Sequence, residues 1–175
     1  MEPYQIILLI LVFLAFAYLA IVVYVLGQMR EFKGKIKKRL KALNVLLLER
    51  ASALGDMRAI YEKGGVVFGE SEAKAGTKLL GLEFVPQEEK VREAIAVVKE
   101  ASTFLRFIAQ SGRYAGASGE RLLADLALLD DLERNFRTSC LLYNGDVAAY
   151  NYWIRIPTVA WIGWLFGHRK KELIS

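Results

Sequence analysis

The chain has 175 residues, with 24 Lys or Arg against 19 Asp or Glu, one His and one Cys. A lone cysteine, Cys140, excludes an intramolecular disulfide and a thiolate metal cluster, which suits a reducing compartment. The formal net charge of +5 is not spread over a basic domain: residues 42–175 are balanced at 17 basic and 17 acidic, and the excess sits in residues 30–41. That pattern speaks for anionic lipid headgroups and against nucleic acid as the partner.

From Pro3 to Met29 no residue is charged. Such a run exceeds the ~20 apolar residues a helix needs to cross a bilayer core of ~30 Å. It is also longer than a signal-peptide apolar region and has no basic residue before it, so a retained anchor is expected. Tyr4 and Tyr24 suit the two interfaces. The following collar of Arg30, Lys33, Lys35, Lys37, Lys38, Arg39 and Lys41 places the N-terminus outside and the remainder in the cytoplasm by the positive-inside bias.

Beyond the anchor, Ile36, Leu40, Leu43, Leu47, Leu54, Met57 and Tyr61 repeat at helical spacing, with Arg50 interrupting the row. This predicts one long helix from the membrane to about Lys63, ended by Gly64-Gly65. A short helix over Glu70–Leu80 fits a stretch otherwise broken by glycines. Pro86, Glu88 and Glu89 mark the start of a helix that carries Val91, Ile95, Val98, Leu105 and Ile108 to about Gln110. Residues 112–119 form a small-residue break, with Ser118 as N-cap for the last helix.

That helix has the clearest row: Leu122, Leu126, Leu129, Glu133, Phe136, Cys140, Tyr143, Val147, Tyr150 and Ile154, stopped by Pro157. Glu133 is its one charged member. If the first and last helices run antiparallel with Tyr61 level with Leu122, Arg50 and Glu133 meet. Either they pair and set the register, or each reaches separately to solvent.

The run Tyr143-Asn144, Val147, Tyr150-Asn151, Ile154, then Pro157, Gly163 and Phe166-Gly167, resembles the C-terminal signature of the LemA family of bacterial and archaeal membrane proteins. Leu43-Asn44-Val45-Leu46-Leu47, Arg50-Ala51 and Leu54-Gly55-Asp56 are similar to that family's first-helix segment, and Glu133-Arg134-Asn135 to its T-E-N-R stretch. The chain departs from the pattern at Gly55, at Cys140 and before Pro157, as a divergent, short member would. The resemblance implies an N-out anchor and a cytoplasmic antiparallel helical bundle, and carries no defined activity.

The expected fold is therefore all-α: a transmembrane anchor (3–29), a helical bundle of three long helices with room for a short fourth (30–156), and an aromatic and basic C-terminal segment (157–175). In that segment Trp161, Trp164 and Phe166 precede Arg169, Lys170 and Lys171. It suits a membrane interface, and equally a cap on the bundle or a contact with a second copy. His168 reads as a solvated or interfacial group without a catalytic or metal-binding partner. No nucleophile with its base, phosphate loop or cofactor motif is present. A non-enzymatic membrane scaffold or adaptor is expected, self-associating and bound to another protein. The alternatives are a membrane-shaping or lipid-organising protein, or a regulatory partner of a membrane protease or kinase.

Overall fold

The computed structural model describes residues 2–111 and 119–174, and among them every regular element is an α-helix. The five helices are α1 (Pro3–Lys63), α2 (Glu70–Leu80), α3 (Glu88–Gln110), α4 (Gly119–Arg155) and α5 (Pro157–Leu165). Contacts divide the chain into two units: Met1–Lys37 with Asn144–Leu173, and Lys38–Tyr143 with Ile174–Ser175.

In the first unit, α1 begins with one stretch long and apolar enough to cross a membrane, none of it buried in protein. Its first buried side chains are Val25 and Met29, followed by Ile36. The end of α4 buries Val147, Tyr150 and Asn151, and α5 buries Val159 and Ile162. Helix α5 was not foreseen as a helix. Pro157 halts α4 because it lacks an N–H, and the same residue opens α5 at its first position, after Ile156 in extended conformation. The segment closes on Gly167, at φ 69°. There the His168 N–H reaches the Gly163 carbonyl at 2.8 Å and the Gly167 N–H reaches that of Trp164 at 3.1 Å. This paired closure needs a left-handed residue, which glycine supplies without strain.

In the second unit, α1 buries Leu40, Leu43, Leu47, Arg50, Ala51, Leu54, Met57 and Tyr61. The helix ends in the same paired closure. Val66 donates to the Tyr61 carbonyl at 3.0 Å and Gly65, at φ 79°, to that of Glu62 at 3.1 Å. Helix α2 starts where the Glu72 carboxylate accepts the Gly69 N–H at 2.7 Å, and it packs on α3. Helix α3 buries Val91, Ala94, Val98, Ala101, Ser102, Leu105 and Ile108. Ile95 is only half-buried, because alanines at 94 and 101 hold the inner row. On α4, Leu129, Phe136 and Tyr143 are buried, while Leu126, Glu133 and Cys140 are half-buried. The expected Ser118 cap and the Leu122 side chain lie outside the described residues. The Asn44 amide donates to the Phe84 carbonyl at 3.0 Å, tying α1 to the connection between α2 and α3.

Candidate functional site

Two clusters gather the polar residues singled out from the sequence. The first, in the second unit, is built round Glu133. The apolar row of α1 carries Arg50 inward until it is 7% exposed. Its Nη2 lies 3.9 Å from Glu133 Oε2, and its guanidinium stands over the Phe136 ring at 5.3 Å from the centroid. Burial lowers the Arg50 pKa and the Glu133 charge pushes it back up. An arginine stays protonated in such a setting, so the side chain is a buried cation. Its Nε meets no hydrogen-bond acceptor among the described residues.

Glu133 is better served. Arg106 of α3 donates to Oε2 at 3.2 Å and Arg137, one turn along α4, to Oε1 at 2.5 Å. Arg106 also pairs with Asp130 at 2.6 Å. Nothing in the sequence marked Arg106 as the third guanidinium. It follows the buried Leu105, at the edge of the α3 stripe, and only the packing of α3 reveals its role. Three guanidiniums, from α1, α3 and α4, thus surround the one acid. Burial raises the thiol pKa of the half-buried Cys140, opposed by the nearby Arg50 charge.

The second cluster, in the first unit, uses the repeated Tyr-Asn pairs. Tyr150 is buried, and its hydroxyl shares a hydrogen bond of 3.0 Å with Nδ1 of His168. Asn151 next to it accepts the Lys171 N–H at 2.9 Å and donates to the Lys171 carbonyl at 2.8 Å. The second Tyr-Asn pair therefore fastens the chain after α5 to the end of α4. His168, expected as a solvated or interfacial group, is 8% exposed. The basic run that follows it hid this; the glycine closure at Gly167 turns the imidazole inward.

The first Tyr-Asn pair differs. Tyr143 is fully buried, and its hydroxyl has no hydrogen-bond partner among the described residues. Burial, with the Glu88 carboxylate adding and Arg92 opposing, pushes its pKa up to about 12. Asn144 is half-buried and Pro157 exposed. The two tyrosines should answer truncation differently. Tyr150→Phe strands the His168 nitrogen and costs about 1–2 kcal/mol, whereas Tyr143→Phe removes an unsatisfied hydroxyl and is neutral or stabilising by up to about 1 kcal/mol. Denaturant midpoints of the full chain in mild detergent compare them directly.

His168 also predicts a pH dependence. Burial lowers its pKa, with Lys33 and Arg30 adding to the effect. The unfolded chain protonates at about pH 6.5 while the folded chain resists, so stability present above that pH is lost as pH falls through the folded value. The melting temperature should drop between about pH 7 and pH 5.5, where no other side chain ordinarily titrates. His168→Gln should flatten that slope.

The basic collar is exposed throughout, with Lys35 paired to Glu31 at 2.7 Å. The C-terminal aromatics are also bare: Trp161, Trp164 and Phe166 all face solvent. Among the described residues, no group of three His, Cys, Asp or Glu side chains is placed to hold a metal ion. Comparison with family models, with curated proteins and with solved structures gives no match for this chain.

Proposed function

We propose that the chain is a membrane-anchored, non-enzymatic helical scaffold of the LemA type, which self-associates and holds a protein partner at the cytoplasmic face of a membrane. The observation that carries this reading is the unburied apolar start of α1 followed directly by seven exposed cations. Lipid solvates the first, and anionic headgroups attract the second by about 1 kcal/mol per basic residue. In this reading the N-terminus is outside and the remaining helices form an antiparallel bundle in the cytoplasm. The Arg50–Glu133 contact supports that register. The clusters at Glu133 and at Tyr150 support the absence of catalysis, since both consume their polar groups in holding helices and chain together.

Self-association is favoured by bare leucines on α4: Leu123, Leu128, Leu141 and Leu142 are all exposed. Leu141 and Leu142 are adjacent, and contiguous exposed apolar surface favours a protein partner. Native mass measurement of the full chain in mild detergent should give a multiple of the protomer mass, reduced to the protomer by Leu141→Lys with Leu142→Lys. A wild-type protomer that carries no partner would count against the scaffold. A lipid-organising or membrane-shaping role is the second reading, favoured by the bare aromatics of α5. Deformation of liposomes by the purified protein would favour it over the first.

A further inference from the structure

Helix α5 has two apolar faces. Val159, Ile162 and Gly163 are buried, at a spacing of three and four. Trp161, Trp164 and Leu165 repeat that spacing two residues on and are 52%, 79% and 61% exposed. None of the residues in α5 is charged. A nine-residue helix that packs one apolar face and leaves the opposite one bare needs a second apolar medium.

The packing of α5 on α1 says where that medium lies. A Cβ built on Gly163 would stand 3.3 Å from Cε of Met29, so the two helices approach closely at that point. Met29 is the last residue before the basic collar. His168, just after α5, is near enough to Arg30 and Lys33 for their charges to act on it. The uncharged stretch at 3–29 would span ~40 Å at ~1.5 Å per residue, about 10 Å more than a bilayer core. The surplus falls at its C-terminal end, where Val25 and Met29 are 3% and 0% exposed. Lipid therefore solvates residues 4–24, about the length of the core, and protein solvates the surplus.

We infer that α5 lies in the interfacial layer of the bilayer that α1 crosses, with Trp161, Trp164, Leu165 and Phe166 facing lipid and Arg169 and Lys170 turned toward headgroup phosphates. The inference rests on α1 being a membrane span. The protein then touches one leaflet twice, and α5 fixes the depth at which α1 stops. Aromatic residues beside cations are the side chains that favour this layer. The occupant is lipid because α5 meets α1 at Met29, just past the part of α1 that protein leaves uncovered and beside the collar.

The chain has three tryptophans, which makes the test direct. The full chain is placed in vesicles with lipids brominated at shallow or deep acyl positions. Trp153→Phe with Trp161→Phe leaves Trp164 as reporter, and Trp161→Phe with Trp164→Phe leaves Trp153. Trp164 should be quenched most by the shallow bromines, at least about twofold more than Trp153, as expected ~5–10 Å into the headgroup boundary. Equal quenching of the two reporters overturns the inference, as does protection of Trp164 that grows with protein-to-lipid ratio, which would assign the face to a second copy. Alkaline carbonate extraction of the same vesicles separates the failures. A protein that stays in the pellet without Trp164 quenching keeps its anchor and loses the interfacial helix; a protein released to the supernatant loses both.

Discussion

Glu133→Gln should destabilise the full chain by about 3 kcal/mol, whereas Arg50→Met should change its stability by less than about 1 kcal/mol. The asymmetry comes from what each substitution leaves behind. Without the Glu133 charge, Arg50 remains inside the protein, over Phe136, and loses its one carboxylate partner among the described residues. An uncompensated buried cation is the costly outcome, worth ~3–5 kcal/mol when one member of a buried pair is removed. Glu133 is half-exposed, which places the cost at the lower end. Without Arg50, Glu133 still has Arg106 and Arg137, and methionine fills most of the volume with an apolar chain. The double variant should recover most of the loss of Glu133→Gln. Chemical unfolding of the three variants in mild detergent, followed by helical circular dichroism, measures this. Equal costs for the two single variants would mean that the pair is a surface contact of little energy.

Asn151→Ala should cost about 2 kcal/mol, and the loss should be local. Its amide makes two hydrogen bonds to one residue, Lys171, and each is worth about 1 kcal/mol net. Those bonds, with the Tyr150–His168 contact, hold the chain beyond α5. Losing them should open that segment while the rest stays folded, as expected of a low-stability unit at a chain end. Trypsin should then cut at Arg169, Lys170 or Lys171 several-fold faster in Asn151→Ala than in the wild type, with the global unfolding midpoint less affected than the cutting rate. Unchanged cutting would show that the tail is held by other contacts.

Helix positions were legible because the apolar rows are long and regular. Every member of the α1 row from Ile36 to Tyr61 is buried, and Gly64-Gly65 ends the helix through the expected glycine closure. The Arg50 and Glu133 interruptions were legible for the same reason: a charge in a sustained apolar row needs a partner or an exit. Short elements and side-chain destinations were harder. Helix α5 has only nine residues and apolar side chains on both faces, so it carries no amphipathic signature. The Ile95 position on α3 satisfied the spacing, but the smaller Ala94 and Ala101 take the inner places because they let the helix approach more closely. His168 was obscured by its cationic neighbours, and its burial depends on the turn that Gly167 makes. The Tyr-Asn pairs were visible as a repeat, yet their division of labour, one fastening the C-terminal chain and one holding a hydroxyl unpaired among the described residues, is a matter of tertiary contacts.

In the proposed topology α1 crosses a membrane, with its basic collar and all later helices on the cytoplasmic side. Cys140 is the only native thiol, so single reporters are simple to place after Cys140→Ser. Glu2→Cys and Lys170→Cys are then labelled in intact cells with a membrane-impermeant maleimide. With that topology, position 2 is labelled before permeabilisation and position 170 only after it. Labelling of both positions in intact cells, or of position 170 alone, would contradict it.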